Sequence, residues 1–252
     1  MKLLTIILLS YNDVRVLNAI DSIRQFDDIL TVKIIVKDGG SNNKLLSSIR
    51  NSLNFKYDIL ISEADNGIFE ALNIAQEIVD TPFCGWLGSD DIYLCNIKAS
   101  HVVRMLSDSD VFIADTVHVS NNRILRKTSS LYSGLGLVKY GFNNPHFSTF
   151  VNSKLIRDMK YNQSLRAADL LFFIQLFDKA DKIKYSREVC TAMEVGGFSS
   201  PSFKKTLAAN FQILLFISSP IYKLYFIIGT FSKFLIKLFS ILNYKIIPRY
   251  IK

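Results

Sequence analysis

Short apolar runs alternate with amphipathic stretches through the first half of the chain, and each apolar run breaks off into polar residues. Thr5 to Leu9, Val32 to Val36, Tyr57 to Ile61 and Phe83 to Leu87 are apolar-rich segments of strand length. Between them, Asp13 to Phe26 carries Val16, Leu17, Ile20 and Ile23 at helical spacing, and further helices are predicted around Lys44 to Leu53 and from Ile68 to Val79. This order constrains the fold to the α/β class. Strands covered on both faces read as near-continuous apolar runs, and parallel neighbours need a crossover helix. In such sheets ligands bind beyond the carboxyl ends of the strands. The polar residues fall at those ends: Ser10-Tyr11-Asn12, Asp38-Gly39-Gly40, Glu63-Ala64-Asp65-Asn66-Gly67 and Ser89-Asp90-Asp91. Any one cluster is compatible with turn chemistry, since Asn and Asp beside Gly favour turns. All of them on one sheet edge would make a shared polar cleft.

The Asp90–Asp91 pair closes a buried strand with two neighbouring charges. Such carboxylates repel unless a cation or donor groups compensate. A divalent ion shared with a substrate diphosphate is one solution, because Mg²⁺ or Mn²⁺ takes carboxylate and phosphate oxygens together. The alternative is a solvated turn, or a cap on the helix expected near Asn96. A strand is predicted from Asp110 to Asp115, and Asn144-Pro145-His146-Phe147 leads into another. Ala167 to Phe173 opens a strongly apolar helix with Asp169 in its first turn. Asp169 is then either a favourable helix-dipole residue or a general base at the mouth of the cleft. His146 is either a satisfied polar residue or a contact to donor phosphate, metal or acceptor. His101, His118 and His146 lack the spacing of a zinc site, and His101 reads as a structural or surface residue. The chain has neither G-x-G-x-x-G after its first strand nor G-x-x-x-x-G-K-[ST], which disfavours dinucleotide and P-loop chemistry.

At 252 residues and 49% apolar content, the chain can bury a large core. Cys84, Cys95 and Cys190 are odd in number and widely spaced, so neither a disulfide framework nor a metal cluster is indicated and a cytoplasmic location is expected. The first ten residues begin with a lysine and an apolar stretch but lack a small-residue cleavage site, and they read as a core strand. The formal charge of +8 favours anionic partners. After Glu194 there are no acidic residues, only Lys204, Lys205, Lys223, Lys233, Lys237, Lys245, Arg249 and Lys252 among many apolar ones. That composition suits an anionic membrane surface better than nucleic acid, which is not an expected partner. The expected organisation is a catalytic domain over residues 1–203 and a basic, hydrophobic helical tail over 204–252. Lys233 and Lys237 share one helical face there. Two other readings stay open: helices that close the core or a homo-oligomer interface, and a membrane-spanning hairpin, interrupted by Pro220 and Lys223.

Taken in order, Leu9-Ser10-Tyr11-Asn12, Val36-Lys37-Asp38-Gly39-Gly40-Ser41, Ser62 to Asn73 and Trp86-Leu87-Gly88-Ser89-Asp90-Asp91 resemble the family 2 glycosyltransferases of the GT-A fold, in particular bacterial enzymes of cell-surface polysaccharide synthesis. Pro145-His146, Ala168-Asp169 and Gly196-Gly197-Phe198-Ser199 are similar to the later motifs of that family. The resemblance implies a Rossmann-like, mostly parallel sheet flanked by helices, and inverting transfer from a nucleotide sugar with Mn²⁺ or Mg²⁺. It further implies that Ser10, Tyr11 and Asn12 line the nucleotide pocket, with Tyr11 on the base, and that Asp38 accepts a hydrogen bond from the base, commonly uracil. Asp65, Asn66 and Gly67 would border the nucleotide and diphosphate. Asp90 would face ribose or sugar, Asp91 would bind the metal, and Asp169 would take the acceptor proton.

The acceptor implied is a glycan or a polyprenyl-diphosphate-linked glycan at the cytoplasmic face of the membrane. The family's tyrosine and aspartate after Gly67-Ile68 are replaced by Phe69 and Glu70, and its arginine soon after the base aspartate is missing around Phe173 to Leu176. Two other classes are a nucleotidyltransferase, for which the Gly-rich basic loop after the first strand is lacking, and a non-catalytic nucleotide-sugar-binding protein of membrane assembly.

Overall fold

The computed structural model describes residues 2–121, 123–131, 136, 138, 144–195, 203–243 and 249–250, without side chains at 203–207, 233–234, 236–243 and 249–250. The Gly196-Gly197-Phe198-Ser199 motif, the side chains of Lys204, Lys205, Lys233, Lys237 and Arg249, and Lys245 and Lys252 lie outside the described residues.

The opening half follows the predicted alternation: β1 (Leu4–Ser10), α1 (Val16–Phe26), β2 (Val32–Asp38), α2 (Asn43–Ser52), β3 (Ile59–Ser62), α3 (Ile68–Glu77) and β4 (Phe83–Gly88). β1 pairs in parallel with β2 and β4, and β2 with β3. The register aligns their carboxyl ends, with Ser10 beside Asp38 and Asp38 beside Ser62, while Leu9 faces Gly88. The edges moved for local reasons. The Asp13 carboxylate accepts the Arg15 backbone N–H at 3.0 Å, so α1 starts only at Val16. Asn42 caps α2 by accepting the Leu45 N–H at 3.0 Å. Asp58 is a buried clamp rather than a strand residue, accepting the N–H groups of Ile34 and Asn54 and pairing with Arg24, which delays β3 to Ile59.

Beyond β4 the chain forms β5 (Ile92–Tyr93), α4 (Ala99–Leu106), β6 (Val111–Ser120), β7 (Arg123–Thr128), β8 (Thr149–Asn152), α5 (Ser153–Ile156), α6 (Ala168–Lys179), β9 (Ile183–Glu194), α7 (Phe203–Ile213), α8 (Pro220–Asn243) and β10 (Arg249–Tyr250). The main path of the sheet runs β10-β7-β6-β8-β4-β1-β2-β3, with β9 against both β6 and β5. β8 enters antiparallel between β4 and β6, and the strands beyond it are mixed in direction. Successive side chains of β1 point to opposite faces. Leu4, Ile6 and Leu8 join the cluster under α1, α2 and α4. Ile7 joins Trp86, Phe172, Phe173, Ile213 and Phe226 in the cluster under α3, α6, α7 and α8. The inner face of the C-terminal helices therefore packs on the sheet domain. Among the described residues no helix is long and apolar enough to cross a membrane.

Candidate functional site

The loops after β1, β2 and β3 are bound together by their own polar atoms. The Asp38 carboxylate, 0% exposed, accepts the N–H groups of Gly40 and Ser41 at 3.0 and 2.7 Å, the Ser62 hydroxyl at 2.9 Å and the Ser41 hydroxyl. Burial opposes its charge, yet the hydrogen bonds from Ser41, Ser62 and Gly40 outweigh burial and hold its pKa below the ordinary value. Asp38, expected to meet the base, thus has its carboxylate occupied by its own loop in this structure. Asn12 sits at φ 48°, a left-handed conformation that asparagine tolerates, and its Oδ1 accepts the Asn42 N–H at 3.1 Å. Its own N–H donates to the Ser41 hydroxyl at 2.7 Å.

Above this framework Tyr11 is 66% exposed, and the Ser10 hydroxyl is buried with no hydrogen-bond partner among the described residues. Tyr11 and Asp65 converge over Gly39, where a Cβ would meet Tyr11 Cδ2 at 3.2 Å and Asp65 Oδ2 at 3.3 Å. A fully buried lysine underlies them. Lys37 Nζ donates to Asp65 Oδ2 at 2.9 Å and to the carbonyls of Glu63 and Asp38 at 2.8 and 3.0 Å. Asp65 Oδ1 accepts the Gly67 N–H at 3.1 Å, and Gly67 opens α3 at φ 121°, a backbone conformation that only glycine adopts without strain. Glu70 reaches back to the Asn66 backbone and side-chain N–H groups, closing that turn.

Asp90 and Asp91 follow β4 at the same edge. Two-residue β5 separates them from α4, whose N-cap is Lys98, so the pair does not cap that helix. Asp91 is 3% exposed, and burial with the Asp90 charge beside it pushes its pKa up to about 8. One oxygen accepts the Glu194 N–H at 3.0 Å; the other lies 2.7 Å from where a Cβ on Gly88 would stand, so this approach requires glycine. Arg15 chelates Asp13 and comes within 3.8 Å of Asp90, while Ser89 donates to Asp13 at 2.9 Å. Among the described residues no group of three or more His, Cys, Asp or Glu side chains could hold a metal alone. The adjacent pair fits the other mode, in which one or two carboxylates bind Mg²⁺ or Mn²⁺ together with substrate phosphates. A cation there would also offset the repulsion that raises Asp91.

Beside these loops, between α3 and α6, a cavity of about 220 Å³ holds Asp169 and His146. Its apolar wall includes Leu9, Phe69 and Phe173, and its polar wall His118, Arg126, Asn144 and Arg166. Met193, beside the Glu194 that binds Asp91, also lines it. His146 packs on Phe147 and edge-on to Phe173 and Trp86, with its Nε2 3.4 Å from the Tyr161 hydroxyl. Burial pushes its pKa down to about 3, so the ring is neutral at pH 7. Burial and the Arg126 charge likewise bring His118 to about 4. His118 bonds Thr128 at 2.8 Å and meets Arg126 at 3.4 Å. His101, on α4, lies tilted against the Phe112 ring of β6.

A Rossmann-like, mostly parallel sheet flanked by helices and followed by a C-terminal helical region is the GT-A fold. Over residues 5–168 the chain matches the model of glycosyl transferase family 2, and it belongs to that family. No curated protein matches the chain. Among solved structures it is similar to residues 1–349 of TarS from S. aureus in complex with UDP-GlcNAc, at 17% identity and a TM-score of 0.69, covering 92% of this chain and 73% of that one. It is also similar to the mannosyltransferase PcManGT from Pyrobaculum calidifontis in complex with GDP-Man and Mn²⁺, at 13% identity and a TM-score of 0.63, covering 90% and 68%. At these identities the likeness is one of fold.

Several residues of the site were not singled out from sequence. Lys37 carried a signal, because a lysine inside an otherwise buried strand needs a partner. Arg15 and Glu194 had none, since only the fold brings them to the Asp90–Asp91 edge. Arg126, Arg166 and Asn210 enter the cavity from β7, the loop before α6, and α7.

Proposed function

We propose that this glycosyltransferase moves a sugar, with inversion, from a nucleoside-diphosphate sugar, a UDP sugar, to a hydroxyl of a glycan or lipid-linked glycan in surface-polysaccharide synthesis. The single observation that carries the reading is the division of carboxylates. Asp90 and Asp91 stand at the edge of the nucleotide loops, and Asp169 stands in a separate cavity that shares the wall at Met193. TarS with UDP-GlcNAc and PcManGT with GDP-Man and Mn²⁺ support a nucleotide-sugar donor and a divalent ion.

In this reading Tyr11 stacks on the base, Ser10 lies beneath it in the pocket floor, and Asn12 and Asp38 hold the pocket in shape. Asp65, Asn66 and Gly67 border the ribose and diphosphate, with Asp65 aimed by Lys37. Asp90 faces ribose or sugar. Asp91 would hold Mn²⁺ or Mg²⁺, which when bound supplies positive charge to the departing diphosphate. Asp169 removes the proton from the attacking hydroxyl, and that hydroxyl displaces the diphosphate from the opposite face. His146, neutral at pH 7, orients the acceptor or the transferring sugar by hydrogen bonding rather than by charge.

The exposed apolar outer face of α7 and α8, with the basic residues that follow Glu194, supports peripheral attachment to an anionic membrane on its cytoplasmic side. The test is a nucleotide-sugar screen read by mass spectrometry with lipid-linked oligosaccharides as acceptors. A transferred hexose that depends on Asp91 and Asp169 is expected. Donor binding without turnover across a broad acceptor set would overturn the enzyme reading.

A further inference from the structure

We infer that the mouth of the Asp169 cavity is a linker subsite, in which Arg126 and Arg166 bind the diphosphate that joins the acceptor saccharide to a membrane lipid. This rests on the reading of Asp169 as the base. Among the described residues, the ionisable groups that line the cavity are Arg126, Arg166, Asp169, His118 and His146. Both imidazoles are neutral at pH 7, so two guanidinium groups face one carboxylate and the local balance is positive. Arg126 and Arg166 are exposed although they line the cavity, which places them at its opening. A planar guanidinium matches phosphate oxygens in pairs, which a lone ammonium cannot do.

The lipid part follows from the neighbouring wall. Ala209 and Asn210 of α7 line the same cavity and are buried. On the other side of that helix and just after it, Phe211, Leu215 and Phe216 are exposed, and α8 continues the surface with Ile221, Leu224 and Ile228. The cavity, about 220 Å³, opens to solvent, so a molecule with a sugar hydroxyl at Asp169 can extend outward past its mouth. A molecule with its hydroxyl at Asp169 and its anion at the arginines thus leaves the protein beside an apolar surface. A saccharide on a lipid diphosphate has those parts in that order.

Calorimetry on the full chain, with the donor site filled by saturating UDP and Mn²⁺, tests this. The probes are farnesyl diphosphate, farnesol and inorganic diphosphate. Farnesyl diphosphate should bind at least tenfold more tightly than either of the others. Arg126→Gln and Arg166→Gln should each weaken it about tenfold, the scale of one charge-assisted contact, with UDP affinity unchanged. Arg→Lys at each position should recover only part of the loss. Farnesol binding as tightly as farnesyl diphosphate would leave the arginines no role. Inorganic diphosphate binding as tightly would point to a free anionic acceptor instead of a lipid-linked one. Unaltered binding in both glutamine variants would also overturn the subsite. Asp169→Asn separates the two readings, because it should abolish transfer while keeping farnesyl diphosphate binding. Normal transfer by that variant would sink the base assignment and leave the binding data standing.

Discussion

The proposed donor edge and the proposed acceptor cavity are built in opposite ways. At the donor edge, consecutive strand ends deliver their residues side by side, and nearly every polar atom is already engaged: Asp38 by Gly40, Ser41 and Ser62, Asp65 by Lys37 and Gly67, Asn66 by Glu70. The cavity gathers His118, His146, Asp169 and Asn210 from distant parts of the chain and surrounds them with aromatic rings. The first arrangement is preorganised, and it suits a ligand whose nucleotide portion does not vary. The second combines an apolar wall with a few polar and charged groups, and a change such as Phe69 falls on its apolar wall.

The sharpest way to separate the halves is Asp169→Asn. Transfer should fall roughly 10²-fold or more, the scale of a lost general base, while calorimetric UDP affinity stays at the wild-type value. Equal loss of both would mean that the cavity and the donor edge are not independent. Next in size, Lys37→Met strips the partly buried Asp65 of its counter-charge and should destabilise the fold by about 2 kcal/mol in urea melts, less than a fully buried pair would cost. Adding Asp65→Asn should recover much of that loss; no recovery would show that Lys37 matters through its backbone contacts instead. Asp91→Asn should reduce the Mn²⁺-dependent part of UDP affinity by roughly 10-fold or more, since even outer-shell partners of a metal are worth that much. Metal-dependent affinity unchanged in the variant would remove Asp91 from the metal site.

The smallest effect belongs to the cavity and is read by pH. His146 has a folded pKa near 3 against an ordinary 6.5, so the unfolded chain binds the extra proton between those values. Its contribution is fully present above about pH 6.5 and is lost as pH falls toward 3. His146→Gln should flatten the acid side of the stability curve by about 1 kcal/mol per pH unit below pH 6. His118, with its folded pKa near 4, keeps a similar slope in the variant.

The same contrast explains what could be read without coordinates. The donor strands and loops were legible because their signals are local: apolar runs, a helical spacing, and glycine or asparagine at the turns. The four polar ends do lie on one edge, as the alternation implied. β5 leaves no mark in the sequence because two residues hold no pattern, and its presence separates the Asp90–Asp91 pair from α4. Tyr57 and Asp58 read as strand but belong to a turn, since Asp58 satisfies N–H groups from two other segments. Asp169 was legible as the first turn of a helix, yet its position in a cavity depends on β6, β7 and α7, whose approach no local spacing records.

Ile213 and Phe226 are almost fully buried against the sheet, whereas Leu215 is 82% exposed two residues further along than Ile213. One short stretch therefore serves as both the domain's lining and its outer coat, and it is not a detachable module. A chain cut near Phe203 would lose cavity wall and core together with any membrane affinity, and its failure to bind vesicles would say nothing about which was responsible. Polar replacements confined to Leu215, Ile221 and Leu224 change the coat alone, and they give the soluble form in which membrane affinity and catalysis can be measured apart.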